Sequence, residues 1–250
     1  MISATRPVTA IQRFECKYLV SETEARSIAA SLAPHLRPDP NAARSSDHTY
    51  AICSLYLDND ALALCHETLA GNATRFKLRV RTYDDDPRTP VFLEVKSRAN
   101  GVVHKIRARV KKALLPALLA GRGLEIPGIG TTERGQLDEF LRLMLLTRAT
   151  PKVLVRYDRQ AYAGTIDDSV RVTFDRRLRG LRTDRPEVVV ESSAFRPIRT
   201  GGVVLELKFN DRCPAWLLRI VQMHGLRRRS FSKYSTCMQG TNPSGAVSAE

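Results

Sequence analysis

Basic residues in this sequence recur at every second position. Arg75, Lys77, Arg79 and Arg81 alternate with Phe76, Leu78 and Val80, and Lys105, Arg107 and Arg109 alternate with Ile106, Ala108 and Val110. Glu94, Lys96 and Arg98 oppose Leu93 and Val95 in the same way. Side chains of a β-strand point to opposite faces with period two, so each run puts its charges on one face and its apolar residues on the other. The pattern extends to Arg13, Glu15 and Lys17, to Arg156 and Asp158 against Val155 and Tyr157, to Arg171 and Asp175 against Val172 and Phe174, and to Glu206 and Lys208 against Leu205 and Leu207. Together these faces carry fourteen basic residues and five acidic ones. Arginine and lysine in that excess suit phosphate, the first through bidentate hydrogen bonds and the second as a point charge.

An antiparallel sheet with one wet face alternates too. Such a face usually mixes small polar residues with both charge signs, because like charges on neighbouring strands repel. Here arginine and lysine dominate. If the strands close into a barrel, the charged face becomes a lumen just wide enough for side chains or one small ligand. Two like charges 4 Å apart cost about 4 kcal/mol at an effective dielectric near 20, so an empty basic lumen demands a polyanion.

The elements that would hold these faces are legible from pattern and punctuation. Strands are expected at Ile11 to Leu19, Tyr50 to Leu57, Thr74 to Tyr83, Val91 to Arg98, Val102 to Val110, Lys152 to Tyr162, Ser169 to Arg176 and Gly202 to Phe209, with a short addition at Val188 to Val190. Asn100-Gly101 signals a hairpin, Asp84-Asp85-Asp86-Pro87 and Asp167-Asp168 signal turns. Ser21-Glu-Thr-Glu24 is a capping box opening a helix that Pro34 stops, and Asp58 is read as the N-cap of a short helix closing at Gly71. A leucine-rich helical region from Lys111 to Leu146 is interrupted by the loop Gly121 to Gly130; Leu137, Phe140, Leu141, Met144 and Leu145 form its apolar stripe. Helices at Pro214 to His224 and Ser232 to Gln239 complete an α+β chain: an eight-stranded antiparallel barrel with flanking helices, one domain over 1–240 with 241–250 as a loose tail.

The 250 residues carry a net charge of +14 and are 43% apolar. That combination describes a folded protein with anionic partners rather than a disordered chain. Five cysteines, with no C-x-x-C pair and no clustering with histidine, exclude a disulfide framework and a zinc ribbon, and a reducing, cytoplasmic setting is expected. No apolar run approaches the roughly 20 residues of a membrane span, so neither a transmembrane nor an export segment is expected. His35, His48, His66, His104 and His224 are scattered, which suits surface or half-buried positions better than ligands. Arg227-Arg228-Arg229 reads first as a solvated basic turn, with an entry funnel for polyanions as its alternative.

Taken in order, Arg13-Phe-Glu15-Cys-Lys17-Tyr18, Lys77-Leu-Arg79-Val-Arg81, Glu94-Val-Lys96, Lys105-Ile-Arg107, Arg156-Tyr157, Arg171-Val-Thr-Phe-Asp175, Leu205-Glu206-Leu-Lys208 and Phe231-Ser-Lys233-Tyr234 resemble the polyphosphate polymerase domain of the vacuolar transporter chaperone complex, a triphosphate tunnel metalloenzyme. The resemblance spans roughly Ile11 to Gln239. It implies an eight-strand tunnel in which Lys17, Arg79, Arg81, Lys96, Lys105, Arg156, Arg171 and Lys233 hold phosphates, with Arg107 and Lys208 beside them. Among these, Lys17, Arg79, Arg81 and Lys208 are expected to act on the transferred phosphoryl group. Glu206, with Glu94 or Glu15, is expected to hold Mn²⁺ or Mg²⁺ through hard carboxylate oxygens. Arg13 stands where the wider superfamily has the first glutamate of a Glu-x-Glu-x-Lys motif, which argues against its adenylate cyclase and thiamine triphosphatase branches. The membrane segments and phosphate-sensing domain of the eukaryotic complexes have no counterpart here, so coupled translocation is not expected.

Three functions follow from these residues. The first is transfer of the γ-phosphoryl of ATP to a growing polyphosphate. The second is hydrolysis of triphosphate or polyphosphate in the same tunnel, and the third is non-catalytic binding of polyphosphate or RNA. Phosphoryl transfer needs positioning and charge neutralisation rather than a protein nucleophile, which favours the first. RNA is disfavoured because Phe76, Tyr157 and Phe174 are placed opposite the basic face, away from any stacking role.

Overall fold

The computed structural model describes residues 13–241, apart from 100, 101, 123, 124 and 167. The expected Asn100-Gly101 turn, Asp167 and the tail beyond Thr241 therefore lie outside the described residues. In chain order the elements are β1 (Arg13–Val20), α1 (Glu22–Leu32), β2 (Leu36–Pro38), β3 (Thr49–Asp58), α2 (Ala63–Ala70), β4 (Arg75–Thr82), β5 (Pro90–Ala99), β6 (Val102–Lys111), α3 (Leu115–Leu119), α4 (Thr131–Thr147), β7 (Thr150–Gly164), β8 (Val170–Arg182), β9 (Arg196–Pro197), β10 (Val203–Asn210), α5 (Ala215–Met223) and α6 (Lys233–Gly240). The fold is α+β, as the sequence leads one to expect.

Eight strands form one antiparallel path in the order β1-β10-β8-β7-β3-β4-β5-β6, while β2 adds to β7 and β9 to β8. Among the described residues the ladder is not closed between β1 and β6, a departure from the closed barrel read in the sequence. The sheet nevertheless curls on itself. Six ladder steps separate β1 from β5, about 29 Å if flat, yet Lys96 of β5 lies 2.8 Å from Glu15 of β1. Backbone groups at the open seam are met by other segments: Arg229 N–H donates to the Lys17 carbonyl at 2.8 Å, and Glu133 accepts from Arg109 N–H at 3.0 Å. Both contacts blunt edges that would otherwise offer free pairing groups.

Helices cover the outer face in two sets. α3 and α4 bury Leu115, Leu118, Leu137, Phe140 and Met144 against Cys53, Leu55, Leu78, Val80, Leu93 and Val95. α1 and α5 bury Ile28, Leu32, Leu217 and Ile220 against Cys16, Tyr18, Val172, Phe174 and Leu205. The apolar stripe of α4 is narrower than its spacing suggests, for Leu145 is 59% exposed. At α1 the capping box forms as expected, with Ser21 accepting from Glu24 N–H and Glu24 from Ser21 N–H.

α6 is different, because it packs on the inner face. Tyr234, Cys237 and Met238 sit against Ile52, Tyr56, Val153, Val155, Tyr157 and Leu178. Gly180 leaves room for it; a Cβ there would stand 2.8 Å from Thr241 Cγ2. Asp58 anchors the helix by accepting from Tyr234 Oη at 2.7 Å. The same carboxylate accepts from Leu64 and Cys65 N–H. Asp58 thus satisfies the first turn of α2 from a distance, while Leu62, not Asp58, occupies the N-cap position. Val188 to Val190 is not a strand. The Asp85 carboxylate takes the Val190 and Glu191 N–H groups, which removes the need for a strand partner there.

Candidate active site on the inner face

Glu94 lies at the centre of one half of the inner face. In the β4-β5-β6 ladder it stands in register between Arg79 and Arg107, fully buried. Arg79 and Lys105 each approach it to 2.7 Å, Arg107 to 3.4 Å and Arg81 to 3.9 Å. Burial by itself would raise the Glu94 carboxyl, but Arg79, Arg81 and Lys105 outweigh it and hold the group far below the usual carboxylate range. Arg79 also donates to Tyr56 Oη at 3.2 Å, and Arg81 to Ser54 Oγ at 3.3 Å. These cations are thereby fixed before any ligand arrives, which is what preorganised electrostatic stabilisation requires.

The other half is built by β1, β10, β8, β7 and the start of α6. Glu15 lies 3.0 Å from Lys17, 2.8 Å from Lys96 and 3.8 Å from Lys208, and Lys208 is also paired with Glu206. Burial and the neighbouring Glu206 would raise the Glu15 carboxyl, yet Lys17, Lys96 and Lys208 hold it at about 2. Glu206, buried too, is kept well below the normal range by Lys208, Lys17 and Arg159. Asp175 binds Arg159 through two contacts at 2.6 and 2.8 Å, and Lys233 at 2.6 Å. Lys233 Nζ further lies 4.8 Å from the Tyr157 ring centroid.

Lys77 has no carboxylate partner among the described residues. Its Nζ donates to Ser232 Oγ at 2.9 Å, and burial, followed by repulsion from Lys17 and Lys96, pushes its pKa down to about 7. Burial also lowers Lys96 and Lys105 to about 8, against the pull of Glu15 and Glu94 respectively. An unfolded lysine titrates near 10.4. Between these values the unfolded chain binds more protons, so stability contributed by these groups is fully present above about pH 10.4 and is lost as the pH falls through 8 and 7. The ligand-free protein is accordingly expected to melt higher at pH 9 than at pH 7 in low salt, and a bound polyphosphate should flatten that slope. Lys77→Met should raise the ligand-free melting temperature at pH 7 while weakening tripolyphosphate binding. A pH-independent melting curve in both proteins would contradict this.

Most of the cations singled out from the sequence converge here: Lys17, Arg79, Arg81, Lys96, Lys105, Arg107, Lys208 and Lys233. Arg171, the register partner of Lys208, lies at the rim and pairs with Asp39. Arg156 corrects the expectation. It shares the outer face with its register partner Cys53 and pairs with Asp158 at 2.6 Å and Glu191 at 2.8 Å. Arg159 reaches the inner face instead, with Tyr157. The alternation misleads on β7 because α6 fills part of the lumen, so Val153 and Val155 point inward and resemble core. A register shift between Arg156 and Asp158 marks the place. Arg159 shares its parity with Val155 and Tyr157, so alternation alone assigns it to the apolar face and no local signal points it inward.

Residues 12–242 match the family model of the VTC domain. The chain belongs to the VTC domain family. No match to it was found among curated proteins. Among solved structures it is similar to a Hippeastrum protein described as a candidate adenylyl cyclase with a dominant triphosphatase activity (16% identity, 92% of this chain and 96% of that one, TM-score 0.51). A candidate adenylate cyclase from Vibrio parahaemolyticus also aligns (11% identity, 90% and 97%, TM-score 0.45). The Hippeastrum likeness places this VTC domain in the tunnel fold.

One mouth of the tunnel is a cavity of ≈ 390 Å³ bordered by Lys17, Arg75, Lys77, Lys96, Arg98, Arg228 and Arg229. Arg228 and Arg229 of the arginine run thus line a basic cavity rather than only a surface turn. No described helix is long and apolar enough to cross a membrane.

Proposed function

We propose that this VTC domain is a metal-dependent polyphosphate polymerase that moves the γ-phosphoryl group of ATP onto a polyphosphate chain inside the tunnel. The observation that carries this reading is the inner face itself, where cations outnumber carboxylates and are held in place by Glu94, Glu15, Glu206 and Asp175. A polyanion is the ligand that neutralises such a surface.

Among the described residues no three acidic, histidine or cysteine side chains group as a cation site. Mg²⁺ and Mn²⁺ commonly take one or two carboxylates and complete their shell with phosphate oxygens and water. Glu206 and Glu15, on paired strands, fit that donor set. Glu94 stands apart from them: four cations contact it, whereas Glu15 and Glu206, though paired with lysines themselves, lie close enough to repel each other. When bound, the ion would neutralise charge on the phosphate oxygens. The protein's own contribution is to align the reactants. A terminal polyphosphate oxygen, already ionised at neutral pH, attacks the γ-phosphorus; the bond to the β-phosphate oxygen breaks, and ADP leaves with that electron pair. Arg79, Arg81 and Lys105 neutralise the charge spread over the transferred group, while Lys17, Lys96, Lys208 and Lys233 hold the acceptor chain.

Incubating the purified protein with ATP and Mn²⁺ and separating ADP, orthophosphate and polyphosphate tests the proposal. Long-chain polyphosphate with stoichiometric ADP is expected; orthophosphate alone would identify a triphosphatase, the activity named for the Hippeastrum protein. Tripolyphosphate at about 100 times its dissociation constant should add about 2.7 kcal/mol of stability. The absence of any melting shift with millimolar tripolyphosphate in low salt would remove the polyanion tunnel. Glu206→Gln should keep tripolyphosphate binding and lose most metal-dependent turnover; unchanged turnover across a Mn²⁺ titration would take Glu206 out of the metal site.

A further inference from the structure

Among the described residues, Lys77 is the inner-face lysine that no carboxylate meets. The other lysines placed there each have one: Lys17 and Lys96 have Glu15, Lys105 has Glu94, Lys208 has Glu206 and Lys233 has Asp175. Lys77 instead faces Ser232 Oγ at 2.9 Å, on the wall of the ≈ 390 Å³ cavity at the basic mouth. Burial, and after it the like charges of Lys17, Lys96, Arg79 and Arg75, bring the amine down to about 7. A base with a free lone pair is therefore present at neutral pH.

Ser232 is oriented toward that amine. It is the N-cap of α6, and its Oγ accepts from Ser235 N–H at 3.3 Å and from Ser235 Oγ at 3.1 Å. A hydroxyl oxygen has two lone pairs and one proton. Both lone pairs are thus taken, so a charged Lys77 would be a third donor, whereas a neutral one can accept the Ser232 proton. Capping needs only an acceptor oxygen; it accounts for the serine and leaves the unpaired lysine unexplained. A hydroxyl held against a base is the arrangement of an activated nucleophile. Phosphate lies within reach in the functional reading above. Lys77 precedes Arg79 by two residues on one face of β4, about 7 Å along the strand, a gap that a bound triphosphate can span. Ser232 also sits between Phe231, whose carbonyl accepts from Lys17 at 3.1 Å, and Lys233, and both of those lysines are assigned above to the acceptor.

We propose that Ser232 is itself a phosphoryl acceptor, phosphorylated from ATP in the protein's own tunnel with Lys77 as general base. The Ser232 Oγ proton passes to the neutral amine and Oγ bonds to the γ-phosphorus. The bond from that phosphorus to the oxygen bridging it to the β-phosphate breaks, and ADP leaves with the electron pair. The product is a phosphoserine beside a Lys77 ammonium, so the modification supplies the anion that this lysine lacks. It also places negative charge at the N-terminus of α6, on a cavity wall shared with Arg228 and Arg229, where such charge is favoured. A polyphosphate end in the tunnel competes with Ser232 for the same phosphoryl group. This inference rests on the reading of the tunnel as a triphosphate site.

Incubating the full chain with γ-labelled ATP and Mn²⁺, without polyphosphate, and denaturing it in acid tests the proposal, alongside calorimetric titration with ATP and tripolyphosphate in EDTA. Wild-type protein should carry an acid-stable label that maps to the peptide containing Ser232, a result that needs no variant to fold; α-labelled ATP should leave none. Ser232→Thr should keep the label, and Ser232→Ala, still binding tripolyphosphate, should lose it. Lys77→Arg, which retains the charge but cannot be deprotonated, should bind tripolyphosphate and label at least about 100-fold more slowly. Saturating tripolyphosphate should suppress the labelling. An acid-labile label would put the phosphate on nitrogen and overturn the proposal. So would a label mapping elsewhere, labelling of Lys77→Arg at the wild-type rate, or labelling indifferent to tripolyphosphate. If the protein binds ATP and tripolyphosphate yet carries no label, only the Ser232 acceptor is lost; if it binds neither, the tunnel reading has failed and the acceptor falls with it.

Discussion

Replacing Glu94 by glutamine should lower the melting temperature of the ligand-free protein by on the order of 10 °C. Removing one partner of a buried ionic cluster costs about 3–5 kcal/mol, because the remaining charges stay buried without compensation, and a chain of this size loses roughly 2–4 °C per kcal/mol. Lys105 and Arg107 have side chains 43% and 37% exposed and can turn toward water, so the loss comes mainly from Arg79 and Arg81 and falls near the lower figure. The carboxyl is ionised far below neutrality, and the effect should therefore be present throughout pH 5 to 9. Tripolyphosphate should restore much of the stability, since an anion in the tunnel supplies the missing charge. Melting curves of both proteins with and without tripolyphosphate decide the matter. A variant that melts like the wild type without ligand would mean that Glu94 does not balance the cluster.

Leu78→Asp and Arg79→Ala, neighbours in sequence, should fail in opposite ways. Leu78 is fully buried between its register partners Leu57 and Val95, under α3 and α4. An aspartate there removes a core side chain and buries an unpaired charge, for a loss of about 5 kcal/mol or more. Arg79 points the other way, into the tunnel, and its loss leaves Glu94 with Lys105, Arg107 and Arg81. That variant should stay folded and lose about 100-fold or more in kcat/KM, the scale seen on deleting one preorganised donor. Thermal melts and one activity assay suffice. A harmless Leu78→Asp beside an unfolded Arg79→Ala would invert the faces of the sheet and would falsify the tunnel assignment.

Alternation misleads at the aromatic residues too. By parity with Val155, Tyr157 reads as lying opposite the basic face, away from any stacking role. In the structure Tyr157 and Tyr56 face the lumen, and both contact cations there. Nothing local distinguishes an inward tyrosine beside an inserted helix from an outward one beneath a covering helix.

The sequence by itself determined the eight main strands, their faces on β1, β4, β5, β6 and β10, and the cationic character of those faces. Alternation has period two and needs only the chain's own stereochemistry to be read. Family membership, too, was visible in the order of the motifs. What the tertiary structure decided was what each face meets. Glu94 and Glu206 are both glutamates of Glu-x-Lys strands, and in sequence both suit a metal. Only the curled sheet surrounds the first with four cations and sets the second near Glu15. Likewise, the insertion of α6 inside the sheet, fixed by the Tyr234 to Asp58 hydrogen bond across 176 residues, made part of the lumen apolar and exchanged Arg156 for Arg159. Parity along a strand is a local property, but which side is inside depends on contacts between residues far apart in the chain, and those exist only once the sheet has curled and the helix has docked.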